Sequence, residues 1–130
     1  MEQRVLVVDH DPLVRNLISN LLSLKQYRVD QAVTREEAVE MLQQLEYDLV
    51  LLDLMMPEDN GFALLEFVRQ NFPRQSRHMV VMTSADRKFA ARLPDEGWCA
   101  ILIKPFAIAE FYRIVDLCID GSHVGGVKYN

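Results

Sequence analysis

Short apolar runs and helix-patterned stretches alternate about five times along this chain, and few architectures accommodate that order. The runs Val5–Val8, Leu49–Leu52, Met79–Met82 and Ala100–Ile103 are each too short for a helix and are bordered by polar or turn residues. They read as strands buried on both faces, with a more polar strand at Tyr27–Ala32. Between them apolar residues recur at helical spacing: Leu13, Leu17, Leu21 and Leu24; Ala38, Met41, Leu42 and Leu45; Phe62, Leu65 and Val68; Phe111, Ile114, Val115 and Cys118. Asp11 before Pro12 predicts a capped helix start, Thr34 with Glu37 predicts a capping box, and Gly121 predicts a helix end. A short helix is expected over Asp86–Leu93, cut off by Pro94 and Gly97. Doubly buried strands joined by helices imply a parallel sheet covered on each side, with functional loops at the carboxyl ends of the strands. The expected fold is therefore α/β, an open (βα)5 doubly wound sandwich with a five-stranded parallel sheet.

A chain of 130 residues, half of them apolar, fits one domain. Residues 121–130, GSHVGGVKYN, read as a flexible tail or the start of a linker. The net charge of −5 argues against direct nucleic-acid binding by this domain, which would need clustered Lys and Arg. The N-terminus has no signal-peptide pattern, and no apolar stretch reaches the 18 or so residues of a membrane span, so a cytoplasmic location without membrane attachment is expected. Cys99 and Cys118 have no CxxC spacing and no metal-ligand cluster around them, so they are expected to be free core thiols in a reducing cytosol.

Polar residues follow the apolar runs at positions the fold would bring together: Asp9 after the first, Asp53 after the third, Ser84 after the fourth and Lys104 after the fifth. Converging carboxylates with a lysine and a hydroxyl suit phosphoryl transfer to an aspartate, because cations must shield the incoming anion while a donor grips one of its oxygens. Taken singly, each could be a simple strand-end loop residue. Asp11 reads as a helix cap, Trp98 as packing for the loop before the last strand, and the Leu and Met stripes as core.

The segments VLVVDHDP, LLDLMMPEDNG, VVMTSA and IKPF, in that order, resemble the four signature segments of response-regulator receiver domains. The resemblance covers roughly residues 3–120, so residues 1–120 are expected to form a receiver domain of the flavodoxin-like, chemotaxis-regulator type. It implies that Asp53 is the phosphoacceptor, followed by Pro57 and Gly61, and that Asp9 is the first of an acidic pair. It further implies that Ser84, preceding Ala85, is the switch hydroxyl, with Thr83 the alternative at one-residue misalignment. Lys104 precedes a cis proline, Pro105, and the backbone carbonyl of Met55 joins Asp9 and Asp53 as a metal ligand. The implied cofactor is Mg2+, and the implied partners are a sensor histidine kinase or histidine phosphotransfer protein and a downstream protein or fused effector domain. A homodimer through the helix over 86–93, the fifth strand and the last helix is a further expectation.

Two positions depart from the pattern. Where the second acid of the pair would coordinate the ion, this chain has His10. The pocket then has fewer negative charges, and a hard ion prefers oxygen to imidazole, so three outcomes are open: Mg2+ binds weakly, a softer ion such as Mn2+ is used with His10 as a conditional ligand, or His10 in its charged form partly replaces the cation. Where the family has a switching aromatic, three residues before the lysine, this chain has Ile101, which cannot swing a ring between buried and exposed states. Met55 and Asp86, each two residues past a key side chain, flank the path of a hydrolytic water. The expected function is a phosphoryl-accepting receiver with only self-catalysed phosphotransfer and dephosphorylation. A phosphorylation-independent pseudo-receiver that serves as an interaction module is the alternative. A phosphatase resembling the haloacid dehalogenases, with Asp9 as nucleophile and Asp11 as acid, is a remote third.

Overall fold

The computed structural model describes residues 2–84, 91–121 and 127–129 of the chain. Strands β1 (Arg4–Val8), β2 (Arg28–Ala32), β3 (Leu49–Asp53), β4 (Met79–Ser84) and β5 (Ala100–Lys104) match the four apolar runs and the more polar Tyr27–Ala32 to within two residues. They pair in parallel in the order β2-β1-β3-β4-β5, and a three-residue strand β6 (Val127–Tyr129) adds to the β5 edge. The expectation of a flexible end from residue 121 onward did not anticipate β6. Helices α1 (Pro12–Leu24), α2 (Arg35–Gln44), α3 (Asn60–Asn71) and α4 (Ile108–Asp120) follow β1, β2, β3 and β5. A 3-10 turn at Pro57–Asp59 precedes α3, and a single helical turn at Pro73–Ser76 follows it. Most of the helix expected over Asp86–Leu93 lies outside the described residues, as do Ala85 and Asp86.

Local chemistry places the helix ends where the sequence predicts them. The Asp11 carboxylate accepts the Leu13 N–H at 2.9 Å, with Pro12 in the first helical position. Thr34 Oγ1 accepts the Glu37 N–H at 3.2 Å, and Glu37 Oε1 accepts the N–H of Val33, one residue before the cap. Gly121 closes α4 with φ +66°, a conformation that favours glycine.

Because strand side chains alternate between faces, each strand feeds two cores. Leu6, Val8, Val50, Leu52, Val81 and Ile101 face Ala38 and Leu42 of α2 and Leu64, Leu65 and Val68 of α3. Val5, Val7, Leu49, Leu51, Val80, Met82 and Leu102 face Ile18 and Leu22 of α1 and Phe111, Ile114 and Val115 of α4. Burying side chains of this size contributes roughly 1.5–3 kcal/mol each, and this apolar burial on both faces holds the three layers together.

The same second core corrects the reading of the cysteines. Cys99, just before β5, and Cys118, in α4, are both fully buried there and form a disulfide with a Cα–Cα separation of 5.8 Å. They lie 19 residues apart, and only the packing of α4 over the start of β5 brings them together.

Candidate functional site

β1 and β3 are neighbours in the sheet although β2 lies between them in sequence, so the helices after them leave on opposite faces and open a crevice at the carboxyl ends. Asp9 and Asp53 stand at this crevice, and both are buried, at 0% and 1% exposure. Alternation along the strands carries the site further. Asp9, Asp53, Ser84 and Lys104 share the face of Val7, Leu51, Met82 and Leu102, the face covered by α1 and α4. Ser84 also stands in register with Lys104 across β4 and β5.

Each carboxylate divides its oxygens between two cationic or polar neighbours. Lys104 Nζ donates to Asp9 Oδ2 at 3.0 Å and lies 3.8 Å from Asp53 Oδ1. On the other side, His10 Nδ1 lies 3.1 Å from Asp53 Oδ2 and 3.9 Å from Asp9 Oδ1. Backbone amides complete the shell, with Asp11 N donating to Asp9 Oδ1 at 2.9 Å and Met55 N donating to Asp53 Oδ1 at 2.8 Å. Burial raises the Asp53 carboxyl above its ordinary value, the Lys104 charge opposes that rise, and Asp9 reinforces it. Asp9 is held on both oxygens, by Lys104 Nζ and by Asp11 N.

The structure brings Asp9, His10, Asp53 and Lys104 into contact and places Ser84, which is exposed, at the same end, with Oγ 3.9 Å from Met55 Sδ. Thr83 points the other way. It is buried with the first core, and its Oγ1 has no hydrogen-bond partner among the described residues. Ile101 packs in that same core at 1% exposure. The Lys104–Pro105 peptide is cis. Pro57 opens the 3-10 turn after β3, and Glu58 and Asp59 follow in the left-handed region. Gly61 begins α3 so close to β3 that a Cβ there would lie 2.4 Å from the Asp53 carbonyl oxygen. Trp98 is buried before β5, its indole donating to the Pro94 carbonyl at 2.8 Å.

One contributor escaped sequence reasoning. Arg15, one turn into α1, donates to the Asp9 carbonyl at 2.8 Å and to Gln31 at 3.0 Å, and Gln31 donates in turn to Ser19. This network ties the turn that carries Asp9 and His10 to β2. The polar character of β2 was its trace in the sequence.

Residues 5–116 match the response regulator receiver domain family, and the chain belongs to that family. It is 33% identical over 109 residues to the DNA-binding dual master transcriptional regulator RpaA of Synechocystis sp., an alignment covering 82% of this chain and 45% of the relative. It is 36% identical over 109 residues to the transcriptional regulatory protein PmrA of Pectobacterium parmentieri, covering 82% and 48%. The chain thus spans less than half the length of these curated relatives. Among solved structures, the response regulator TrrA of Thermotoga maritima in complex with Mg2+-BeF superposes with a TM-score of 0.78 at 27% identity, covering 89% of this chain and 98% of that one. The receiver domain of a sensor histidine kinase from Pseudomonas aeruginosa, with a magnesium ion in its active-site cleft, gives 0.76 at 26%, covering 92% and 99%. The chain is thus a receiver domain of two-component signalling, with Asp9 and Asp53 as its acidic residues, and no helix among the described residues is long and apolar enough to cross a membrane.

Proposed function

We propose that Asp53 accepts a phosphoryl group from a phosphohistidine on a sensor kinase or phosphotransfer protein in the cytoplasm. The observation that carries this reading is Lys104 Nζ between Asp9 Oδ2 and Asp53 Oδ1 at 3.0 and 3.8 Å, a fixed cation beside a buried carboxylate. An ionised Asp53 oxygen forms the new bond to phosphorus as the phosphorus–nitrogen bond breaks, and the donor imidazole leaves with a proton from solvent. Lys104 neutralises charge that develops on the transferred group and afterwards pairs with the acyl phosphate. Ser84, exposed at the same strand end, donates its hydroxyl to a phosphate oxygen, which draws the end of β4 toward the site.

Asp9, Asp53 and the Met55 carbonyl are the proposed oxygen ligands of a divalent cation, with His10 as the fourth candidate. The donor set fits such an ion: the Asp9, His10 and Asp53 ligand atoms lie within 4.8 Å of one another. When bound, the ion supplies positive charge that screens the incoming phosphate from the two carboxylates. Phosphotransfer and hydrolysis are self-catalysed, with Met55 bordering the water path.

Residues 1–120 form the proposed receiver unit, with residues 121–130 as a tail or the start of a linker. Leu13 and Leu17 in the first half of α1 and Ile108 at the start of α4, exposed at 79%, 50% and 55%, support a protein partner near the carboxyl end of the sheet. Self-association is proposed along the segment 86–93, β5 and α4. Incubating the chain with a small acyl phosphate or phosphoramidate and a divalent ion should give one phosphate adduct by intact mass, absent in Asp53→Asn. Persistent lack of an adduct with any divalent ion refutes the reading.

The His10–Asp53 contact favours a second reading, a phosphorylation-independent interaction module, because the ring already occupies one acceptor oxygen. Partner binding that is indifferent to Asp53→Asn in a chain that takes no phosphate would select it.

A further inference from the structure

The way Asp9 and Asp53 share out their oxygens specifies which ions the cleft prefers, on the reading that it is a cation-assisted phosphoacceptor. Asp9 Oδ2 and Asp53 Oδ1 turn toward Lys104, while Asp9 Oδ1 and Asp53 Oδ2 turn toward His10. The lysine therefore takes one side of the carboxylate pair, and the locus left for a second cation is the side lined by the imidazole. Nδ1 stands 3.1 and 3.9 Å from the two oxygens there. Donors on one ion at about 2.1 Å are separated by about 3.0 Å at octahedral cis positions and by about 3.4 Å in a tetrahedron. The ring is thus already at ligand spacing from Asp53 Oδ2 and stands about half an ångström beyond it from Asp9 Oδ1. Its side chain is 44% exposed, so water and phosphate oxygens can reach the same locus.

We infer that His10 Nδ1 is a metal ligand and that the cleft selects a first-row divalent transition ion such as Mn2+ or Co2+ over Mg2+. As a ligand the ring presents the Nδ1 lone pair and carries its hydrogen on Nε2, exchanging a hydrogen bond to Asp53 Oδ2 for a bond to the ion. Mg2+ gains little by that exchange, since it prefers oxygen and gives up its waters reluctantly. Transition ions gain progressively more along the series from Mn2+ to Co2+. The two buried carboxylates attract any of these ions. The imidazole provides the discrimination.

Calorimetric titration of the full 130-residue chain with Mg2+, Mn2+ and Co2+ reads the preference, and pulsed electron paramagnetic resonance of the Mn2+-loaded protein reads the ligand. Mn2+ should bind roughly tenfold or more tightly than Mg2+, and Co2+ more tightly again. Nitrogen modulation should appear in the Mn2+ spectrum. His10→Asp should remove that modulation, strengthen Mg2+ binding and narrow the Mn2+ to Mg2+ ratio several-fold, while His10→Ala should weaken Mn2+ and Co2+ without strengthening Mg2+. An unchanged ratio in His10→Asp, or Mn2+ bound in the wild type without nitrogen modulation, overturns the inference. Phosphate uptake by intact mass is scored separately. A chain that binds ions in the expected order but never carries phosphate refutes the functional reading and leaves the ion selectivity standing. A chain that is phosphorylated with no imidazole signature does the reverse.

Discussion

Ser84 and Thr83 are adjacent in sequence and end up in unlike surroundings on the two faces of β4. Ser84 is exposed, stands in register with Lys104 and shares a face with Asp53. Thr83 is buried beside the face of Val81 and Ile101, and its hydroxyl has no partner among the described residues. One face is thus assembled from polar groups that answer one another, while the other is a packed wall in which a hydroxyl takes the place of a methyl. On the proposed function, the difference separates the residues that would carry the chemistry from those that would carry the readout. The polar face carries the groups that the proposed phosphoacceptor uses, whereas the packed face has an aliphatic side chain, Ile101 at 1% exposure, where the resemblance would place a switching ring.

The strongest test of the contrast removes the cation from the polar face. Lys104→Met should slow phosphate uptake from a small donor about 100-fold, as followed by intact mass against time. It should also lower stability by about 2–3 kcal/mol in urea denaturation, because Asp9 is then buried without its partner. Wild-type uptake kinetics in this variant would show that the polar face is not where the chemistry happens. Gly61→Ala probes the join between that face and α3. A Cβ 2.4 Å from the Asp53 carbonyl oxygen forces β3 and α3 apart, and a loss of about 2–3 kcal/mol is expected by thermal melting.

Asp53→Asn separates chemistry from stability. Burial raises the folded-state value of this carboxyl above 3.8, so its contribution to stability is fully present in acid and is lost as pH rises through the folded value. At neutral pH the ionised group therefore opposes folding. The amide should be more stable than wild type by about 1 kcal/mol at pH 7, and this advantage should shrink as pH falls into the acid range. An advantage that instead grew toward acid pH would mean that Lys104 outweighs desolvation at this site. The smallest effects fall on the two hydroxyls. Thr83→Val should stabilise by roughly 0.5–1 kcal/mol, since a buried hydroxyl gives way to a methyl, whereas Ser84→Ala should change stability by less than about 0.5 kcal/mol. The reverse ranking in chemical denaturation would exchange the roles assigned to the two faces.

Much of the fold was legible before any coordinates because strands and helices announce themselves within a few residues. Val5–Val8 and Leu49–Leu52 are uniformly apolar, Asp11-Pro12 and Thr34 with Glu37 are local capping patterns, and all of them formed where expected. The convergence of Asp9, Asp53, Ser84 and Lys104 at one end of the sheet was legible for a related reason, as each ends or directly follows a strand. Even the preference for Ser84 over Thr83 agrees with the period of two along β4, which puts Ser84 with Asp53 and Lys104. Arg15 was not legible, because its bonds to the Asp9 carbonyl and Gln31 depend on how α1 lies across β1 and β2.

By itself, then, the sequence determined the order of elements, their buried faces and the polar residues at the strand ends, all of which depend on near neighbours in the chain. Only the tertiary structure decided that Lys104 meets Asp9 across 95 residues, that the carboxylates divide their oxygens between Lys104 and His10, that Cys99 joins Cys118, and that Gly61 must lack a side chain. Those outcomes rest on contacts between segments remote in sequence, whose spacing is set by close packing of whole layers and leaves no periodic signal in the chain.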